Sequence, residues 1–125
     1  MSLGVKVAEP EREVVCLTGD GGFLLNCQEL ETAIREKIPV RVVIFNDFGY
    51  GNVRAYQRHK YGGRYLCDYG NPDFGKLAEL FGAHGEQVDD PRLLQEAFLR
   101  VMKTDKPGVL DVLVDPNELG TPGFL

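Results

Sequence analysis

The sequence predicts an α/β protein with three layers, in which a mainly parallel sheet carries helices on both of its faces. Short apolar runs alternate with helical patterns along the 125 residues, and this alternation is typical of parallel sheets. The runs are nearly continuous and rich in valine, as in strands covered on both faces. Hydrophobic residues make up 43% of the chain and charged residues 26%, so residues 1–125 are expected to form one folded domain.

The first part of the chain contains two predicted strands with a helix between them. Residues 13–18 form an apolar run that predicts a central strand, and residues 40–45 form a second, β-branched run. The helix is predicted over residues 26–37, where apolar residues recur on one face. Asn26 and Glu29 have the spacing of a capping box at its start.

The second part of the chain continues the alternation of helices and strands. Asn71 is the predicted N-cap of the best-punctuated helix, because a proline and an acid follow it and Gly82 can end the helix. The alternation predicts a parallel sheet with right-handed crossovers. Helices are predicted over about residues 50–59, 71–82 and 90–103, and strands over residues 83–88 and 109–114.

Two polar, glycine-rich turns follow the first two predicted strands: Gly19-Asp20-Gly21-Gly22 and Asn46-Asp47-Phe48-Gly49-Tyr50-Gly51. If the strands are parallel neighbours, both turns lie at the carboxyl edge of the sheet, where open α/β folds bind ligands. The glycine-rich turn suits a phosphate, but its carboxylate would repel one unless a cation lies between them. Mg²⁺ fits, because it is held by one or two carboxylates together with substrate phosphates.

Other phosphate motifs do not fit these turns. Leu24 stands where the dinucleotide fingerprint needs its third glycine, and the chain has no G-x-x-x-x-G-K-[ST] motif. The first turn alone is also consistent with a tight connection in which Asp20 is only a turn residue. The second turn follows the next predicted strand and carries a second acid, Asp47, and the two turns together favour a functional site.

The two turns resemble the thiamine diphosphate-binding motif of the acetolactate synthase, pyruvate oxidase and benzoylformate decarboxylase group. The resemblance is carried by Gly19-Asp20-Gly21, then 24 residues, then Asn46-Asp47, with Tyr50-Gly51 just after. It covers most of the chain, and residues 19–54 are its specific part. It implies the thiamine diphosphate-binding fold and, within it, the C-terminal domain that binds the diphosphate.

The resemblance also implies a role for each matching residue. Asp20 matches the first magnesium ligand, Asp47 the second, and Gly49 the position whose backbone carbonyl completes the protein ligands. The family usually has asparagine where this chain has Asp47, and the acid adds a negative charge beside an anionic cofactor. The positions that match contacts with the cofactor's diphosphate end are Gly19, Gly21, Gly22, Tyr50 and Gly51.

No residue of this chain is assigned a catalytic role. In the family, the glutamate that activates the cofactor belongs to a pyrimidine-binding domain of the same or a second subunit, and Glu29, Glu31 and Glu36 are interpreted as solvent-facing. The glycine-rich strand and helix that open the family's domain are absent, and residues 1–12 have little periodicity. The chain is therefore expected to be an N-terminally truncated fragment of a larger multidomain enzyme and inactive alone.

The resemblance implies a parent enzyme that decarboxylates a 2-oxo acid and then joins carbon units, as a lyase and transferase of the acetolactate synthase type. A 2-oxo acid decarboxylase and a pyruvate oxidase remain alternatives, as does a non-catalytic α/β assembly module. The implied cofactors are thiamine diphosphate and Mg²⁺, and FAD would belong to the parent enzyme rather than this domain. A homo-oligomer, most simply a dimer, is expected.

Composition limits the other classes of function. The net charge of −5 is spread along the chain, which argues against nucleic acid, and the basic, aromatic stretch from Arg54 to Tyr65 is interpreted as an interface or a cover over the site. No apolar run approaches the roughly 20 residues of a membrane span, and no secretory pattern opens the chain. A cytoplasmic protein with three reduced cysteines is expected.

Overall fold

The computed structural model describes residues 1–63 and 66–118, which form one four-stranded parallel sheet and six helices. The strand order is β1-β2-β4-β3, with every neighbouring pair parallel, so the α/β class is confirmed. Within the described residues, no helix has the length and apolar character needed to cross a membrane. The elements are α1 (Ser2–Ala8), β1 (Val15–Gly19), α2 (Asp20–Leu24), α3 (Glu29–Arg35), β2 (Arg41–Asn46), α4 (Gly51–Tyr61), α5 (Phe74–Leu80), β3 (His84–Val88), α6 (Leu94–Lys103) and β4 (Gly108–Leu113).

The sheet separates two apolar cores, because successive side chains of a strand point to opposite faces. Val42 and Ile44 of β2 contribute to the core that contains Phe23 of α2, Leu30 of α3 and Phe74 of α5. Val43 of the same strand contributes to the other core, together with Ala97 and Val101 of α6 and Leu110 of β4. Helices therefore cover both faces, as the three-layer prediction requires.

The prediction that the first strand is central was wrong, since β1 lies at an edge of the described sheet. Cys16 packs against a core, but Leu17 on the other face is 67% exposed, and the neighbouring Phe45 of β2 is also exposed. The last strand, β4, inserts between β2 and β3, so the interior strands are β2 and β4. An apolar run indicates a strand but does not specify which strands lie beside it.

Two helix starts also differ from their predictions. The backbone N–H of Glu29 donates to the carbonyl of Asn26 at 3.1 Å, and α3 has no side-chain cap, so the capping box is not formed. The N-cap of α5 is Asp73, whose carboxylate accepts from Lys76 N at 2.9 Å, rather than Asn71. The side chain of Asn71 instead donates to Asp20 and Asn46.

Two short helices were not predicted. The first turn after β1 is itself helical, so that Asp20 becomes the first residue of α2. Near the start of the chain, α1 is held by buried Lys6, which donates to the carbonyls of Pro10 and Arg12. The remaining elements lie close to their predicted positions, and Gly62 and Gly82, with φ of 70° and 90°, follow the ends of α4 and α5 as helix-ending glycines do.

Candidate functional site

The two glycine-rich turns meet at the carboxyl edge of the sheet. Gly19, the last residue of β1, is in register with Phe45 of β2, so the turns that follow these strands are neighbours. An open cleft of about 540 Å³ lies between them, and the segment after β4 completes its wall. The cleft is lined by all eight residues predicted to bind the cofactor: Gly19, Asp20, Gly21, Gly22, Asp47, Gly49, Tyr50 and Gly51.

Asp20 is 1% exposed, and its carboxylate accepts hydrogen bonds from neutral donors. Its Oδ1 accepts from Gly21 N at 2.8 Å, and its Oδ2 accepts from Gly49 N at 3.1 Å and from Asn71 Nδ2 at 2.6 Å. Because Gly49 belongs to the second turn and Asn71 to the segment before α5, this carboxylate joins three parts of the chain. Its position is therefore fixed by hydrogen bonds alone.

Asp47 is instead paired with a buried arginine. Arg54 is 1% exposed, and its Nη1 donates to Asp47 Oδ2 at 3.1 Å while its Nη2 donates to the Asp47 carbonyl at 3.1 Å. The same guanidinium donates to Pro116 O at 2.8 Å and places Nε 2.9 Å from Asp68 Oδ1. Arg54 thus ties the second turn to the segment after β4 and to the loop before α5.

Burial raises the pKa of Asp47, the guanidinium of Arg54 opposes that rise, and the charge of Asp20 adds to it. The two carboxylates therefore lie close enough to repel each other. A cation near both would relieve this repulsion, which is the arrangement expected of a site for a divalent metal.

A chain of buried polar groups lies beneath the turns. Asn46, the last residue of β2, donates from Nδ2 to Asp111 Oδ1 of β4 at 3.0 Å and accepts at Oδ1 from Asn71 Nδ2 at 2.8 Å. Sequence reasoning missed Arg54, Asn71 and Asp111 as residues of the site. An acid inside the apolar run Val-Leu-Asp-Val-Leu was the one signal that could have identified Asp111 in advance.

Two tyrosine rings pack beside the first turn. The ring centroids of Tyr50 and Tyr69 are 5.1 Å apart in an edge-to-face arrangement, and both rings lie close to Gly21. Burial and the negative charge of Asp20 raise the pKa of Tyr69. Tyr69 therefore stays a neutral phenol beside the carboxylate.

The glycines of the site are explained by protein packing as well as by ligand access. A Cβ on Gly21 would lie 2.5 Å from Tyr69 Oη, one on Gly49 would overlap Arg54, and one on Gly51 would overlap the Asp47 carboxylate. Gly19 differs, since its nearest neighbour would be Phe45 O at 4.0 Å. Gly49 is thus constrained by the backbone, because its Cβ would also lie 2.5 Å from Cys67 O, whereas Gly21 and Gly51 face side chains that would have to move.

The N-terminus of α4 faces the same cleft. The first intrahelical bond joins Arg54 N to Tyr50 O at 2.9 Å, so the backbone N–H groups of Gly51, Asn52 and Val53 have no partner within the helix. These three residues line the cleft. Unpaired amides and the helix dipole favour an anion at this position.

The described residues fit a magnesium diphosphate better than a metal held by protein alone. Within residues 1–63 and 66–118, no cluster of three or more His, Cys, Asp or Glu side chains could hold a metal. Two carboxylates are nevertheless sufficient for Mg²⁺, because it usually takes its remaining ligands from substrate phosphates and water. Asp20, Asp47 and the backbone at Gly49 offer oxygen ligands, and the amides of α4 offer donors for a phosphate.

The fold and this site define a parallel α/β domain that gathers two carboxylates and a helix N-terminus at the carboxyl edge of its sheet. The chain belongs to the family described as thiamine pyrophosphate enzyme, C-terminal TPP binding domain, whose model matches residues 1–112. The family resemblance inferred from the two turns is therefore confirmed.

Several relatives of this chain are named acetolactate synthases. A probable acetolactate synthase large subunit of Methanococcus aeolicus is 41% identical over 119 residues, covering 93% of this chain and 20% of that protein. The acetolactate synthase of Bacillus subtilis is 40% identical over 117 residues, covering 94% of this chain and 20% of that protein. This chain thus spans about a fifth of the length of these relatives.

A solved structure supports the fold independently. The thiamine diphosphate-dependent 4-hydroxybenzoylformate decarboxylase of Rhodococcus jostii RHA1 superposes with a TM-score of 0.84 at 30% identity. The match covers 91% of this chain and 22% of that protein. The three-layer architecture is therefore the one found in a thiamine diphosphate-dependent enzyme.

Proposed function

We propose that this chain binds the Mg²⁺-diphosphate end of thiamine diphosphate as one domain of a larger acetolactate synthase-like enzyme. The observation that carries the proposal is the meeting of Asp20, Asp47 and the N-terminus of α4 in one glycine-lined cleft. The two acids suit the metal, and the helix amides suit the diphosphate. Family membership and the names of the relatives support the same function.

In this proposal, each part of the cleft has a separate task. Asp20 and Asp47, with the backbone carbonyl of Gly49, would hold Mg²⁺, whose positive charge would favour binding of the diphosphate. The amides of Gly51 and Asn52 donate to the phosphate oxygens. Arg54 offsets the charge of Asp47, so the acid does not repel the cofactor as strongly as it would alone. When bound, thiamine diphosphate supplies the electron sink for 2-oxo acid decarboxylation.

The parent reaction is proposed to be decarboxylation of a 2-oxo acid followed by carboligation. Three relatives named acetolactate synthase favour this reaction. The structural neighbour is named a decarboxylase, and this supports simple 2-oxo acid decarboxylation as a second candidate. This chain contributes the anchor for the cofactor and no catalytic side chain, so it is expected to be inactive alone.

A partner is proposed to cover the open face of the sheet. Leu17 of β1, Phe45 of β2 and Val53 of α4 are exposed, and apolar surface of this kind is typical of an interface. The proposed occupant is the pyrimidine-binding domain of the same or a second subunit, in a cytoplasmic homo-oligomer. Such a domain would also supply the glutamate that activates the cofactor.

Calorimetric titration of the cofactor tests the proposal. Thiamine diphosphate should bind the chain only when Mg²⁺ is present, and thiamine without the diphosphate should not bind, because the proposed contacts are with the metal and the phosphates. Asp20→Asn keeps the size of the side chain but removes the charge, so we expect it to weaken binding at least about 100-fold. Asp89→Asn, an exposed residue outside the cleft, is the matched control and should bind normally.

The titration also defines what would contradict the proposal. Equal affinity for thiamine and thiamine diphosphate would exclude a diphosphate anchor. Equal affinity with Mg²⁺ and with a chelator would exclude the metal. If the chain alone binds too weakly to measure, the same titration is made on the longer enzyme that contains it, and absence of binding there would end the proposal.

A further inference from the structure

The side chain of Asn71 joins the two turns of the site from outside both of them. Asn71 lies in an irregular segment before α5, and its Nδ2 donates to Asp20 Oδ2 at 2.6 Å and to Asn46 Oδ1 at 2.8 Å. The side chain of Asn71 therefore links Asp20, which follows β1, to Asn46, which ends β2.

The orientation of both amides follows from chemistry. The backbone N–H of Phe48 can only donate, so the Asn46 atom that lies 3.3 Å from it is Oδ1, and Asn46 Nδ2 then faces Asp111. Turning the Asn71 amide over would place its Oδ1 against two acceptors, Asp20 and Asn46. In the described part of the chain, Asn71 Oδ1 is buried without a hydrogen-bond partner. The donor end of this amide is thus the end that the fold uses.

Asp111 fixes the far end of this chain of hydrogen bonds. It is fully buried in β4, and its Oδ2 accepts from Phe74 N at 3.1 Å and from Gln87 Nε2 at 2.8 Å. Through these contacts it connects β4 with β3 and with the start of α5. The series Asp111, Asn46, Asn71, Asp20 therefore runs from the centre of the sheet to the cleft.

We infer that Asn71 is a positioning residue that makes Asp20 present a single oxygen, Oδ1, to a divalent cation. Oδ2 already accepts from Asn71 and from Gly49 N, whereas Oδ1 accepts from Gly21 N. A carboxylate oxygen has two lone pairs, so Oδ1 keeps one for a metal. The inference rests on the proposed function, since it assumes that a cation binds at Asp20, but it assigns a role to a residue outside both turns.

Titration of the chain with Mn²⁺, followed by the paramagnetic resonance of the free ion, tests the inference without any enzyme activity. Asn71→Ala should raise the dissociation constant of Mn²⁺ about 10-fold or more, because residues that orient a ligand typically affect metal affinity 10- to 100-fold. Asn26→Ala, at an exposed asparagine outside the cleft, should leave the constant unchanged.

A double-mutant cycle tests the link to the centre of the sheet. Asp111→Asn keeps the shape of the side chain but replaces one of its two acceptor oxygens with a donor. It can therefore no longer accept both from Asn46 Nδ2 and from the donors of Phe74 and Gln87. The effects of Asn71→Ala and Asp111→Asn on Mn²⁺ affinity should then be clearly less than additive, because both act through the same contacts. Additive effects would overturn the role of Asp111.

The wild-type chain supplies a measurement that does not depend on the folding of a variant. The side-chain NH₂ of Asn71 should exchange slowly with water and shift when Mg²⁺ is added, whereas that of Asn26 should do neither. If wild-type chain binds no Mn²⁺, the proposed function fails. If it binds Mn²⁺ while Asn71→Ala binds equally well, or the Asn71 NH₂ does not respond to Mg²⁺, the positioning role is overturned and the proposed function stands.

Discussion

The two aspartates at the edge of the sheet are held in different ways. Asp20 is buried and accepts from backbone amides and from Asn71, all of them neutral donors. Asp47 is half-buried and forms an ion pair with buried Arg54, which also contacts Asp68 and Pro116. The first carboxylate is therefore part of a local hydrogen-bond network, and the second carries its own counter-ion.

We propose that this difference allows an acid at position 47, which the resemblance of the two turns matches to a position that is usually asparagine. A bare carboxylate at Asp47 would repel both Asp20 and an anionic cofactor. Burial is the main cause that raises the pKa of Asp47, and the charge of Asp20 adds to that rise. Arg54, on the first turns of α4, offsets that charge from a buried position. The negative charge that Asp47 adds to the site is thus offset by the positive charge of Arg54.

Of the changes that test how the two aspartates are held, removal of Arg54, the counter-ion of Asp47, should have the largest effect on stability. Arg54→Met leaves Asp47 unpaired and breaks the contacts with Asp68 and Pro116, so we expect a loss of about 2–4 kcal/mol in the free energy of unfolding. Urea denaturation in metal-free buffer measures this loss. The matched control is Arg100→Met, whose arginine is 55% exposed and paired with Glu86, and which should cost at most about 1 kcal/mol. Equal losses for the two variants would mean that Arg54 is not a special counter-ion.

An added methyl group should affect stability at Gly21, where two tyrosine side chains fill the space, more than at Gly19, where the space is open. Gly21→Ala would force the Cβ against Tyr69 Oη and the Tyr50 ring, and overpacking of this kind costs about 1–3 kcal/mol. Gly19→Ala meets no close neighbour and should change the free energy of unfolding by less than about 1 kcal/mol. Thermal unfolding of both variants provides the comparison, and a harmless Gly21→Ala would show that the two tyrosines do not occupy this space.

The smallest expected effect is a slope of stability against pH. Because the pKa of Asp47 is raised above its usual value of 3.8, the folded state binds this proton more tightly than the unfolded state does. The contribution of Asp47 to stability should therefore fall as pH rises through the window just above 3.8. Asp47→Asn removes this titration, so the stability difference, wild type minus variant, should decrease with pH in that window and then level off.

Unfolding with urea at closely spaced pH values, in the presence of a chelator, measures that difference. The control is Glu86→Gln, because contact with Arg100 lowers the pKa of Glu86 and gives the opposite sign. For Glu86, the extra stability of the wild type over Glu86→Gln should be lost as pH falls through the lowered pKa of Glu86. If the stability difference changed with pH in the same direction for both variants, the conclusion that burial raises the pKa of Asp47 would be contradicted.

Much of the fold could be predicted from sequence, because its signals are local. The strands β2, β3 and β4 and the helix α4 lie close to the predicted ranges, since apolar periodicity and turn residues act over a few positions. Asn71 shows the limit of such reasoning. Its spacing from a proline and an acid is that of an N-cap, yet Asp73 took that role and left Asn71 to contact Asp20.

The sequence by itself determined which residues belong to the two turns, because each turn follows a strand and contains the glycines and acids that the site needs. Tertiary structure decided what each acid contacts. Asn46 meets Asp111 across 65 residues, and that contact exists only because β4 inserts beside β2. Strand order depends on how the whole chain packs, and no local pattern encodes it, so the counter-ion of Asp47 and the donor to Asp20 became known only with the fold.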